Sequence, residues 1–320
     1  METRALATLP LRSLTSMDQR FTRHDWALFV SVSCIWGASF LFIDIGLDAM
    51  PPGLITLLRV GLGAAALALV PRQRVTYGRS DLRRIVLLSV VWVAIPFTLF
   101  PIAEQHVSSS VAGLLNGGTP IFAATFAALI FHQRPSRAVL AGIGTGLVGV
   151  ILISVPSIGE GSSQAFGVAL VVIATVCYGF ATTIVAPIQR AYGSINVMGT
   201  ILALATIWTV PFGVWELDEA HFEWGPVVAV CVLGVVGTGF AYWIMGSLIA
   251  RVGGTRASFI TFVIPVVALF LGVTFRGDDV AALSIVGCGF VIAGALLAGR
   301  GARSVTSAAV APEPTPAESR

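Results

Sequence analysis

The stretch PIFAATFAALIFHQRPSRAVLAGIGTGLVG at 120–149 returns as PVVALFLGVTFRGDDVAALSIVGCGFVIAG at 265–294. Pro120, Gln133, Gly142, Gly144 and Gly149 of the first copy correspond to Pro265, Asp278, Gly287, Gly289 and Gly294 of the second, each 145 residues further on. The register holds without a gap across two consecutive hydrophobic segments, so the chain reads as a tandem duplication. Duplicated halves in a membrane protein point to a pathway built at the interface between them.

Composition places the chain in a membrane. Mean hydropathy is +0.90. Of its residues 56% are hydrophobic and 11% charged, against roughly 25% charged in a soluble domain. Ten apolar stretches can be read, at about 26–46, 53–71, 85–103, 109–131, 138–156, 166–186, 197–215, 225–248, 257–276 and 280–299. Each is near the ~20 residues a helix needs to cross a bilayer. The segments are continuously apolar and lack the alternation of an outer-membrane barrel. The expected fold is all-α and integral to the membrane.

Orientation follows from charge. All 19 basic residues are arginine. With ten spans and the N-terminus inside, every arginine except Arg59, within a span, and Arg276, outside, falls on the cytoplasmic side or in the terminal segments. Acidic residues Asp48, Glu160, Glu216, Asp218, Glu219 and Glu223 collect on the other side. Five helices cross a membrane an odd number of times, so a second copy must enter from the opposite face. The ten helices are therefore read as two inverted five-helix repeats at 26–156 and 166–299, joined by an outer linker at 157–165. Inverted repeats exchange conformations across a pseudo-two-fold in the membrane plane.

The ends and cysteines carry little chemistry. Residues 1–25 are polar, without the apolar core of a signal peptide, and read as a cytoplasmic segment in which Met17 is an alternative start. Residues 300–320, ending APEPTPAESR, read as a disordered cytoplasmic tail. Cys34, Cys177, Cys231 and Cys288 fall inside spans without metal-ligand spacing and read as packing residues. No cofactor and no nucleic-acid partner is expected, and oligomeric state is left open.

Ile35-Trp36-Gly37-Ala38-Ser39-Phe40 in the first span, Pro52 and Arg59 in the second, and Pro120 and Pro265, each followed by a Gly-rich span, resemble the EamA-type branch of the drug/metabolite transporter superfamily. The resemblance covers residues 26–299 and implies a carrier of amino acids, other small metabolites or toxic compounds. It also implies export, the commoner direction in that family. Members often carry Glu where this chain has Gln133 and Asp278, so a glutamate ion pair or gate is in doubt in the first half.

Polar side chains in lipid favour an interior face or water. Trp36, Ser39, Phe40 and Ile43 share one helical stripe, and Tyr178-Gly179 stands opposite Trp36-Gly37 at an offset of 142, with Thr182 one turn on. Asn116 and Thr119 precede Pro120 around Gly117-Gly118, and Ser258 and Thr261 precede Pro265. Tyr242 and Trp243 offer aromatic walls. The candidate substrate-binding set is Trp36, Ser39, Asn116, Thr119, Tyr178, Thr182, Tyr242, Trp243 and Thr261. Each has a plainer reading: Asn116 as a helix–helix hydrogen bond, the hydroxyls back-bonding to their own helices, the aromatics as packing. Gly142 and Gly146 are spaced for close helix contact. Arg59, about 9 Å into the second span at 1.5 Å per residue, can snorkel, pair with Asp44 or Glu104 in an outer gate, or hold a substrate carboxylate.

No Walker-type loop ending in Lys is present, which argues against ATP-driven pumping. Proton coupling would fall to Asp44, Glu104, His106 or Asp278, all towards outer ends where solvation is expected. The resulting expectation is a secondary transporter, not an enzyme, moving an amino acid or similar amphiphile outward by alternating access. Its setting is expected to be a bacterial inner membrane, suggested by the Ala/Gly/Val/Arg-rich composition, with both termini cytoplasmic. A facilitative channel-like permease, a membrane enzyme and a non-transporting scaffold stay open. The scattered His24, His106, His132 and His221 weigh against the enzyme.

Overall fold

The structure, a computed structural model, describes residues 21–71, 75–131 and 135–309. Met17, His132, Gln133 and the chain end from 310 lie outside the described residues. Ten apolar helices are described: α1 Arg23–Leu47, α2 Pro52–Ala68, α3 Arg79–Glu104, α4 Ser109–Ile130 and α5 Arg137–Glu160, then α6 Ser162–Tyr192, α7 Ser194–Trp215, α8 Trp224–Val252, α9 Ile260–Arg276 and α10 Ala282–Ala309. All but α2 and α9 are long and apolar enough to cross a bilayer. A single turn, Gly254–Ala257, precedes α9.

Local sequence explains the boundaries. Thr22 caps α1 by accepting from the Asp25 N–H, while Asp25 accepts from the Thr22 N–H in return. Pro52 opens α2, where a missing N–H costs nothing. Gly117 and Gly118 interrupt α4, which restarts at Thr119-Pro120. Gly193 and Gly253, at φ of 82° and 81°, turn the chain from α6 to α7 and from α8 to α9 in a conformation only glycine adopts freely. Two features differ from the sequence reading. The expected linker at 157–165 is helical except for Gly161, because a single glycine at φ 147° suffices to reverse direction. And α10 continues as helix to Ala309, beyond the expected end at 299.

The two halves meet most closely at α5 and α10. A Cβ placed on Gly142 would lie 2.5 Å from the Gly294 carbonyl oxygen, and one on Gly294 would lie 2.6 Å from that of Gly142. Gly149 and Gly287 stand in the same relation, at 2.6 and 2.7 Å. Since Gly287 and Gly294 are the repeats of Gly142 and Gly149, each glycine faces the counterpart of the other. That reciprocal pattern is the mark of a two-fold contact, and early-against-late pairing makes the helices antiparallel. The same exchange relates Gly37 of α1, tight against Val267 of α9, to Gly179 of α6, tight against Phe122 of α4. Here 37 and 179 differ by 142, and 122 and 267 by 145.

A second pairing lies in the third helix of each half. Ser89–Ala94 of α3 and Val235–Phe240 of α8 are π-helical. One-turn widenings of this kind often accompany functional sites. Gly142→Val or Gly287→Val is expected to lower stability in detergent by about 1–3 kcal/mol or to abolish folding. Gly144→Val, where nothing lies within 4 Å of the added carbon, is expected to be neutral; apparent melting temperatures check the contrast.

Candidate functional site

A cavity of about 710 Å³ lies between the halves. Its deep wall is made of related residues: Trp36 and Tyr178, and Phe40 and Thr182, lie 142 apart in sequence, while Trp92 and Gly237, Phe97 and Tyr242, and Asn116 and Thr261 lie 145 apart. A space walled by equivalent positions of both copies sits on the pseudo-two-fold.

Trp36, Ser39, Arg59, Asn116, Thr119, Tyr178, Thr182, Tyr242 and Thr261 line this cavity. Trp243 does not: it turns outward against Phe240, with ring centroids 5.3 Å apart. Successive residues on a helix point ~100° apart, so Tyr242 and Trp243 cannot face one space together. The plainer reading of the hydroxyls also holds in part. Ser39 donates to the Ile35 carbonyl at 3.1 Å, Thr119 to Asn116 at 2.8 Å, Thr182 to Tyr178 at 2.9 Å and Thr261 to Ser258 at 2.8 Å. Their oxygens remain available as acceptors. Sequence reading missed Trp92, Phe97 and Phe100 of α3; subtracting the repeat offset from Tyr242 would have found Phe97.

The walls are aromatic. Tyr242 meets Trp36 edge-on at 5.6 Å and Trp92 at 6.1 Å, and Phe100 lies against Tyr178 at 5.8 Å and Phe40 at 5.4 Å. Arg59 projects among them, 6% exposed. Its guanidinium carbon sits 3.9 Å over the Phe97 ring centroid, and Nε donates to Thr238 Oγ1 at 3.3 Å. Thr238 belongs to the π-helical turn and donates in its turn to the Leu233 carbonyl. Neither the snorkelling nor the gate pairing with Asp44 or Glu104 considered for Arg59 is realised here.

The two ends of the cavity differ. On the face where α1 begins, termed proximal, Gln189, Arg190, Ser194, Ala250 and Ser258 carry the lining to the junctions of α6–α7 and α8–α9. Peripheral contacts hold that face, Arg251 to Asp25 and Tyr192 to Asp81. On the opposite, distal face the space ends against packed Ile43 and Phe100, 1% and 2% exposed. Beyond them Arg276, at the end of α9, bridges both carboxylates at the end of α1: Nε to Asp44 at 2.7 Å and Nη1 to Asp48 at 2.8 Å. Asp278 accepts from Ser109 Oγ and the Ser110 N–H, capping α4. His106 bonds Ser163 at 2.8 Å. Glu216, one of the acidic residues that collect on the outer side, accepts from the Gly53 N–H at the start of α2.

Glu104 departs from expectation. Placed by sequence among solvated outer groups, it is buried, and neither carboxylate oxygen has a hydrogen-bond partner. No group of three or more metal-ligating side chains occurs among the described residues.

An antiparallel pair of five-helix units encloses a cavity on their two-fold, the arrangement of a polytopic membrane protein built from inverted repeats. The EamA-like transporter family model matches residues 26–155 and 165–300, one match for each half. The chain belongs to that family. It is 26% identical to a protein of Streptantibioticus cattleyicolor named "Probable terminal-alkyne amino-acid exporter", over 88% of this chain and 95% of the relative. It is 24% identical to the "Probable amino-acid metabolite efflux pump" of Salmonella typhimurium, over 85% and 94%. An "Uncharacterized inner membrane transporter" of Escherichia coli is 25% identical over 83% and 87%. The protein is thus a multi-pass membrane transporter.

Glu104→Gln is expected to fold and to match or exceed the parent in melting temperature, since the isosteric amide replaces a buried ionisable carboxyl whose oxygens have no hydrogen-bond partner. A fall of several degrees would reveal a partner that holds the carboxylate.

Proposed function

We propose that this protein is a secondary transporter that exports an amino acid or similar amphiphilic metabolite across a bacterial inner membrane by alternating access. The observation that carries this reading is the unequal fate of equivalent positions. Ala186, Gln189 and Arg190 line the open mouth, and their first-half counterparts 142 residues earlier are Asp44, Leu47 and Asp48, at the closed distal end. Ile249, Gly254 and Ser258 likewise line the mouth, and 145 residues earlier stand Glu104, Ser109 and Gly113, which are buried. If the halves exchanged conformations, the proximal mouth would close and the set around Asp44, Glu104 and Ser109 would line a distal one. The arginine distribution supports a cytoplasmic proximal face and cytoplasmic termini, and the relatives' names support amino-acid-like cargo and outward direction.

Purified protein in proteoliposomes is expected to show saturable counterflow of individual L-amino acids. Flux that neither saturates nor shows counterflow would favour the channel-like permease. The clasp that Arg276 forms with Asp44 and Asp48 gives a mechanistic check. In an Arg276→Gln background, labelling of Ser109→Cys by a membrane-impermeant maleimide is expected to rise severalfold and that of Ser258→Cys to fall. Unchanged labelling at both positions would argue that the clasp does not set the balance between states.

A further inference from the structure

Among the described residues that line the cavity, two bear charge and both are cationic: Arg190, exposed at the mouth, and Arg59, buried at depth. Arg59 has five N–H donors, of which one is engaged, by Thr238. Asp44 and Asp48 are held by Arg276, and none of the ion pairs among the described residues includes Arg59. A charge left unpaired in such surroundings costs several kcal/mol. The Phe97 face returns about 1–2 kcal/mol of that. No described carboxylate pairs with Arg59 directly, and Glu104 acts on it only from beyond ion-pair distance, while the free edge of the guanidinium borders a space large enough for a small molecule.

Three features restrict what fits. A guanidinium's parallel donors match a carboxylate in two-point contact. The neighbouring walls, Trp36, Trp92, Phe100 and Tyr242, suit an apolar or aromatic body. Asn116, also on the wall, brings a side-chain amide that can meet a polar group of the cargo. We propose that Arg59 is the anion subsite of the cargo, and that the cargo is a monocarboxylate with an apolar body and a donor group, as in a zwitterionic amino acid. With one buried cation the site is not built for polyanions. This deepens the transporter reading and rests on it.

The test uses full-length protein and L-amino acids beside their carboxamides, in both melting-temperature shifts in detergent and proteoliposome exchange, with sodium chloride against sodium gluconate as a separate arm. Stabilisation and exchange by at least one free acid, at least about tenfold weaker for its amide, are expected. Arg59→Gln is expected to erase the preference for acid over amide, and Arg59→Lys to retain part of it. Because the acid–amide comparison is made on the wild-type chain, the proposal is decided even if Arg59→Gln fails to fold. Equal exchange of acid and amide would overturn the anion subsite while leaving the transporter reading intact. Acid-selective stabilisation without flux would uphold the subsite and count against transport. Chloride that stabilises and competes with every acid, with no acid exchanged, would make the occupant an inorganic ion and overturn the carboxylate cargo. An absence of stabilisation by any acid or by chloride would overturn the proposal outright.

Discussion

The crossing of α5 and α10 constrains the rest of the molecule. Where Gly142 faces Gly294 and Gly149 faces Gly287, backbone meets backbone at distances that leave no room for a methyl group. In lipid there is no hydrophobic drive to bring helices together, so this close packing, with its dispersion and weak polar contacts, is what joins them. Because the contact is reciprocal between repeats, it fixes the second half antiparallel to the first. Other inter-repeat contacts share the relation, Gly37 with Val267 and Gly179 with Phe122 among them. The cavity on the axis is walled by other helices, with Trp36 of α1, Phe97 of α3 and Tyr242 of α8 among its aromatics.

Two halves with one ancestry need not occupy one conformation. The distal end is closed by charge that has found partners: Arg276 with Asp44 and Asp48, and Asp278 with Ser109 and the start of α4. The corresponding positions on the proximal side carry Ala186, Arg190, Phe131 and Gly254, a set with no carboxylate to answer Arg190. Closure at the distal end is thus built from ion pairs and a cap, whereas proximal closure would have to rely on packing and the peripheral Arg251–Asp25 contact. Sequence divergence between the repeats makes the two closed ends chemically different, which lets them be weighted separately.

Much of this was written in the chain at long range and little of it at short range. Proline and glycine positions held the repeat register because backbone geometry at a kink or a close crossing tolerates few substitutes, so a constant offset survived where side chains drifted. Inward-facing aromatics could be found from the same register, and nine of the ten singled-out residues reach the cavity wall. Trp243 was misplaced because a segment apolar on all sides gives no periodic signal to distinguish cavity from lipid. The π-helical turns at Ser89–Ala94 and Val235–Phe240 left no mark in composition, yet they rotate the rest of α3 and α8 and set Thr238 beside Arg59. Glu104 was misjudged for a related reason: depth along a helix can be counted, but burial at its end depends on what packs there.

Arg59 and Glu104 together mark where the fold tolerates imbalance. Neither forms an ion pair in this state, although each lies within the other's field, and both are buried. Their positions differ in kind. Arg59 borders open space, so solvent or solute can answer its charge without moving a helix. Glu104 sits at the position equivalent to the mouth-lining Ile249, so it would gain solvent only when the distal end opens. On the proposed alternating access the groups act apart, Arg59 facing what enters and Glu104 released by the opposite opening. On that proposal, groups answered at different steps would favour movement between states, which a fully satisfied interior would not.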